Sequence, residues 1–157
     1  MGMNDAPDFG KIAVDPAWNV VIVRSVWYDE LTSQMAKDAT DSLVAAGISA
    51  ENIHIIDAPG SYELPLLCKQ ALLSGADACI AFGIVVQGET HHARLVSEQA
   101  AAGIMHVQLE LMKPIVFEVI FVDTLEDARE RATGKGAKGP LAAKTALTSL
   151  ARLKDLH

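Results

Sequence analysis

Histidine is the side chain that gains and loses a proton near neutrality unaided, its ordinary pKa being about 6.5. The run Gly88-Glu89-Thr90-His91-His92 is therefore the first place to look for proton-transfer chemistry. It leaves an apolar stretch and enters a helical one, so it reads as a strand-end loop that opens a helix, with Thr90 placed to cap it. Free backbone N–H groups and the positive end of the helix dipole would then face an anion. The same atoms equally suit a plain capped helix, and a histidine there, taken alone, is more often a surface residue than a catalytic one. Glu89 has to turn its carboxylate away from any phosphate. His91 and His92 stand roughly 100° apart on a first helical turn, so at most one of them faces a crevice. Glu89 and His92 also have the Glu-x-x-His spacing of carboxylate-bridged metal sites, but those need a second such pair on another helix, which is missing.

Three further segments carry ligand-binding residue types. In Pro59-Gly60-Ser61-Tyr62-Glu63-Leu64-Pro65, Glu63 can accept hydrogen bonds from the hydroxyls of a polyol, or simply be an acidic residue in a helix's first turn. Trp27 offers a flat face to a heterocycle, or is a partly buried core aromatic. Gly134-Lys135-Gly136-Ala137-Lys138-Gly139 spells G-x-G-x-x-G. It follows the charged segment Leu125–Ala132 instead of a strand, so the dinucleotide reading fails and a loop between helices remains. Its lysines and the nearby Arg131 can reach an anion, although a solvated helix face is the default for Glu126, Asp127, Arg129, Glu130 and Arg131.

Such loops need a scaffold to bring them together. Asn19 to Val26 is almost entirely β-branched or apolar, and the following segment places Leu31, Met35, Ala39 and Leu43 at helical spacing before Gly47, a strand and then a helix. Ile53–Asp57 and Glu63–Leu73 repeat the unit, Ala78–Val86 and Thr90–Met112 repeat it again, and Ile115–Val122 is a last buried strand. Helical segments at Leu125–Ala132 and Leu141–Lys154 complete the chain. Strands joined by helices are too far apart for hairpins, which implies right-handed crossovers and a parallel sheet covered on both faces. The expected fold is a three-layer α/β sandwich, a flavodoxin-like, doubly wound parallel four-stranded sheet. Ligands of such sheets gather at the carboxyl ends of the strands, here the loops beginning at Trp27, Ala58, Gln87 and Asp123.

Composition narrows the partners. With 157 residues, half of them hydrophobic, the chain suits one domain over 1–157, with 1–17 a flexible or extended arm. A net charge of -7 leaves no basic stripe for nucleic acid, while a small anion needs only one or two local cations. Cys68 and Cys79 sit in apolar stretches without metal-type spacing, which favours reduced thiols and the cytoplasm. No apolar run reaches the ~18–20 residues needed to span a bilayer, and the start lacks a basic, hydrophobic signal, so a soluble protein without membrane partners is expected.

Together these loops resemble the lumazine synthase family, from Val20 to Leu153. The most specific piece is Gly83-Ile84-Val85-Val86-Gln87-Gly88-Glu89-Thr90-His91-His92, similar to the family's strand-end motif; Pro59–Pro65 matches a second motif and Pro114-Ile115-Val116-Phe117 a third. The resemblance implies condensation of 5-amino-6-(D-ribitylamino)uracil with 3,4-dihydroxy-2-butanone 4-phosphate, without a cofactor or metal. It implies that His92 transfers protons and that Arg131 clamps the phosphate. Gly88, Glu89 and Thr90 would offer backbone groups to that phosphate, with Lys138 near its end. Trp27 would stack on the pyrimidine, Ser61, Tyr62 and Glu63 would hold the ribityl chain, and Val85 and Val86 would meet the pyrimidine edge. Phe117 would close the pocket from a neighbouring subunit, since the family forms pentamers, sometimes packed as sixty-subunit shells.

This sequence departs from the pattern at three places: Gln87 stands where arginine is common, Tyr28 where asparagine is common, and Glu118 where glycine is common. Local positive charge falls, which bears on affinity more than on reaction type. Two other expectations stand beside the first. One is the related archaeal-type riboflavin synthase, which lacks the Gly-x-Thr-x-His turn; the other is a non-catalytic flavin-binding or shell-forming relative.

Overall fold

A computed structural model of the chain describes residues 7–157. Residues 1–6 of the arm expected over 1–17 lie outside these. Four parallel strands form one sheet in the order β2-β1-β3-β4, with β1 at Val20–Ser25, β2 at Ile53–Ala58, β3 at Ala78–Val86 and β4 at Ile115–Val122. The central pair is apolar because both of its faces are covered: Val20, Ile22, Val23, Ile80 and Phe82 are fully buried.

Five helices make the outer layers: α1 (Asp29–Ala46), α2 (Leu64–Leu73), α3 (His92–Leu111), α4 (Leu125–Thr133) and α5 (Lys138–Asp155). Alternation along the strands separates two cores. Val20, Ile22, Ile80, Phe82, Val116 and Ile120 meet α1, α4 and α5, while Val21, Val23, Cys79, Ala81, Ile115 and Val119 meet α2 and α3. Within the second core Cys79 Sγ approaches the Cys68 carbonyl at 3.7 Å. A hydrogen bond with Cys79, and then burial, push the Cys68 thiol well above its ordinary value. The doubly wound, flavodoxin-like sandwich expected from the sequence is thus the architecture that forms.

Three expectations need correction. The sheet is not covered throughout: β2 is an edge strand whose ends, Ile53 and Ala58, reach the cores while its middle is open, with Ile55 and Ile56 exposed. Helix α5 begins three residues before Leu141. Gly139 and Pro140 look like loop residues, but a Cβ at Gly139 would stand 2.6 Å from the Met35 carbonyl oxygen and 2.7 Å from Asp38 Cβ, so glycine lets α5 press onto α1. Proline in a first turn loses no helical hydrogen bond, because the N–H it lacks has no partner there. Thr90 does not cap α3, which starts at His92 with His91 at the capping position and no side-chain cap. The remaining hydroxyl contact is long, His92 N–H to Thr90 Oγ1 at 3.4 Å.

The two outer layers differ in polarity. On α4, Glu126, Asp127, Arg129, Glu130 and Arg131 are exposed. On α2 and α3 the exposed residues include Leu66, Leu73, Leu95, Met105 and Leu109. Residues 7–17 carry no helix or strand, yet Ile12 and Val14 pack on the first core and the Lys144 ammonium sits 5.3 Å from the Phe9 ring centre. Among the described residues no helix is long and apolar enough to cross a membrane.

Candidate functional site

The strand order reverses between β1 and β3, and a cavity of about 470 Å³ opens at their carboxyl ends. Three chain segments wall it: Trp27 and Tyr28 after β1, Pro59 to Glu63 after β2, and Ile84 to Val86 with the start of α3 after β3. Of the adjacent histidines His92 lines it and His91 does not, as the helical turn between them requires.

The first segment is held from several sides. Val26 N–H donates to the Ala58 carbonyl at 3.0 Å and Trp27 N–H to Ser25 Oγ at 3.2 Å. The Thr32 hydroxyl donates to the Ser25 carbonyl at 2.7 Å. Beneath them lies Arg24, its side chain only 12% exposed, paired with Asp29 at 2.6 Å and Asp57 at 2.9 Å, and donating to Thr32 Oγ1 at 3.2 Å. One guanidinium thereby joins β1, β2 and the first turn of α1. The sequence carried no sign of this cluster beyond one basic residue inside an apolar strand. Its carboxylates are largely exposed, so the cluster orders the turn more than it stabilises the fold.

Tyr28, at the start of α1, has φ 58° and ψ 49° and makes no side-chain cap. For a residue other than glycine the left-handed region costs roughly 1–2 kcal/mol. Trp27 beside it is 65% exposed, a large apolar surface left open to the cavity.

The second segment brings Glu63 towards Trp27. A Cβ placed on Gly60 would stand 3.1 Å from Glu63 Oε2 and 3.6 Å from the Trp27 ring, so carboxylate and indole flank the same bare stretch of backbone. Ser61 is buried with its hydroxyl against Gly83 of β3, and Tyr62 is exposed at the rim. On the third segment Val85 and Val86 end β3 half-buried. A largely apolar lining with an aromatic wall, the Ser61 hydroxyl, the Glu63 carboxylate and a rim imidazole can hold a polyhydroxylated heterocycle and move a proton on it.

Gly88, Glu89 and Thr90 are exposed in the loop between β3 and α3, next to the cavity but outside its lining. Gln87 spans that loop, its amide donating to the Gly88 carbonyl at 3.1 Å and the Thr90 carbonyl at 3.4 Å. Phe117, Arg131 and Lys138 do not line the cavity within one chain. Phe117 is exposed on the β4 face turned towards α2 and α3, Arg131 is exposed near the end of α4, and Lys138 begins α5. Glu118 points to the opposite face of β4, where burial raises its carboxyl to about 6 and the Lys138 charge partly offsets this. Among the described residues no three His, Cys, Asp or Glu side chains gather closely enough to hold a metal ion.

The chain is similar in sequence to known proteins. Residues 17–154 match the family model described as 6,7-dimethyl-8-ribityllumazine synthase. The 6,7-dimethyl-8-ribityllumazine synthase of Protochlamydia amoebophila is 39% identical over 140 residues, covering 88% of this chain and 81% of that protein. The protein of the same name from Clavibacter michiganensis subsp. michiganensis is 34% identical over 161 residues, 100% of this chain and 99% of its own. That of Cytophaga hutchinsonii is 40% identical over 133 residues, 83% and 84% of the two chains.

Proposed function

Since the chain belongs to the 6,7-dimethyl-8-ribityllumazine synthase family, we propose that its cavity joins 5-amino-6-(D-ribitylamino)uracil to 3,4-dihydroxy-2-butanone 4-phosphate in riboflavin biosynthesis. The products are the ribityllumazine, phosphate and water. The observation that carries this reading is the meeting of Trp27, Ser61, Glu63 and His92 around one cavity at the strand ends.

The pyrimidine stacks on Trp27, its edge meets the backbone of Val85 and Val86, and its ribityl chain reaches Ser61, Tyr62 and Glu63. Its free amino group attacks the ketone; loss of water leaves an imine, phosphate departs, and the ring closes with loss of a second water. Each step moves a proton, which His92 passes between nitrogen, carbon and oxygen atoms held in place. Holding both reactants together supplies much of the remaining acceleration. No cofactor is called for.

The phosphate rests on the Gly88-Glu89-Thr90 backbone at the uncapped start of α3. Arg131, Lys138 and Phe117 complete the site from a neighbouring copy of the chain. The apolar outer faces of α2 and α3 and the open edge at β2 support such self-association, as pentamers or larger assemblies up to a shell. The chain works in the cytoplasm on small molecules, with neither nucleic acid nor membrane as partner.

Mixing the purified protein with both substrates and following lumazine absorbance tests the reading. Product should accumulate with release of one phosphate per turnover. Dismutation of added lumazine to riboflavin would replace the reading by the riboflavin synthase alternative, and binding without turnover by a non-catalytic relative. Light scattering gives the assembly size, and a monomer at working concentration would refute a site shared between copies.

A further inference from the structure

Only two non-glycine residues among those described have positive φ: Tyr28 and Met112. Met112 follows the last turn of α3, where left-handed backbone is ordinary. Tyr28 precedes the first turn of α1, where extended backbone is ordinary and a short polar side chain normally accepts a hydrogen bond from the helix. Asparagine would suit either backbone, being at ease at positive φ and able to cap from an extended start. Tyrosine has neither property, and the ties from Arg24, Val26 and Thr32 hold the turn in spite of it.

Local physics therefore selects against this residue, and strain of this kind collects where ligands bind. In an extended chain consecutive side chains point to opposite sides; the left-handed turn instead lets Trp27 and Tyr28 line one cavity. We propose that the Tyr28 ring gives the substrate's heterocycle a second aromatic surface beside Trp27. The proposal rests on the condensation reading above.

Fluorescence titration of the intact, assembled protein with 6,7-dimethyl-8-ribityllumazine tests it. The Y28N variant should bind about three- to tenfold more weakly, as expected for one aromatic contact, while its thermal midpoint rises by about 2–4 °C as the strain is relieved. Y28F should bind within twofold of the native chain, and the KM for the butanone phosphate should stay unchanged in both. Y28G, equally at ease at positive φ, repeats the test should Y28N fail to fold. Less than a threefold loss in Y28N, or an equal loss in Y28F, overturns the proposal while leaving the condensation reading intact. A native chain that neither binds nor makes lumazine sinks both.

Discussion

Strands β3 and β4 both hand over to helices at the same end of the sheet, and the two crossings are finished differently. At α4 the Thr124 hydroxyl accepts the Asp127 N–H at 3.1 Å and donates to the Asp127 carboxylate at 2.9 Å, so the helix start satisfies its own polar groups. At α3 the capping position His91 makes no side-chain cap; Gln87 bonds only to carbonyls of the loop, and the one side-chain bond to the helix start is the long one from His92 N–H to Thr90 Oγ1 at 3.4 Å. The uncapped crossing lines the cavity, and so does the strained start of α1; the capped one does not. Of these two crossings, the one away from the cavity closes its helix start with a side chain, and the one beside the cavity leaves its start without such a cap.

Four measurements can break or sharpen this contrast. The largest effect belongs to His92 at the open crossing: H92A should slow turnover about ten- to hundredfold, as for a positioned proton carrier, and leave the melting temperature alone. Unchanged turnover would remove the open crossing from the chemistry.

Glu118 tests whether the β4 side is as settled as its capped helix suggests. Its carboxyl is raised from 4.5 to about 6 by burial, so the fold favours the protonated form. The stability this group contributes is complete below about 4.5 and is lost as pH climbs through about 6. E118Q should therefore gain about 1–2 kcal/mol in urea denaturation above pH 7 and nothing near pH 4.5. An equal gain at both pH values would mean that packing, not charge, is the cause.

Smaller effects come from the two threonines. T124A should cost about 1 kcal/mol of unfolding free energy, as lost caps do, with kinetics intact. T90A should change stability by no more than a few tenths of a kcal/mol and raise the KM of the butanone phosphate about twofold. If the two variants lose stability equally, the crossings are not different in kind.

How far the residues announced all this depends on the range of the signal. Hydrophobic runs such as Ala78–Val86 located the strands to within a residue or two, because burial on both faces leaves few choices of side chain. Trp27, Ser61, Glu63 and His92 were legible because strand ends of a parallel sheet converge. The early start of α5 was hidden in Gly139 and Pro140, whose meaning depends on α1 lying against them. Arg24 was hidden for the same reason, since Asp29 and Asp57 come to it from two other elements. The left-handed turn at Tyr28 was beyond reach, since the residue type argues against the conformation it adopts.

The adjoining thiols of Cys68 and Cys79 lie wholly out of water, between α2 and the sheet. An alkylating reagent meets them only when that helix lifts away, so the rate of labelling under native conditions counts its excursions. Because α2 follows directly on the Ser61–Glu63 segment, ligand that tightens the cavity should slow that clock, giving a readout of occupancy that needs no turnover.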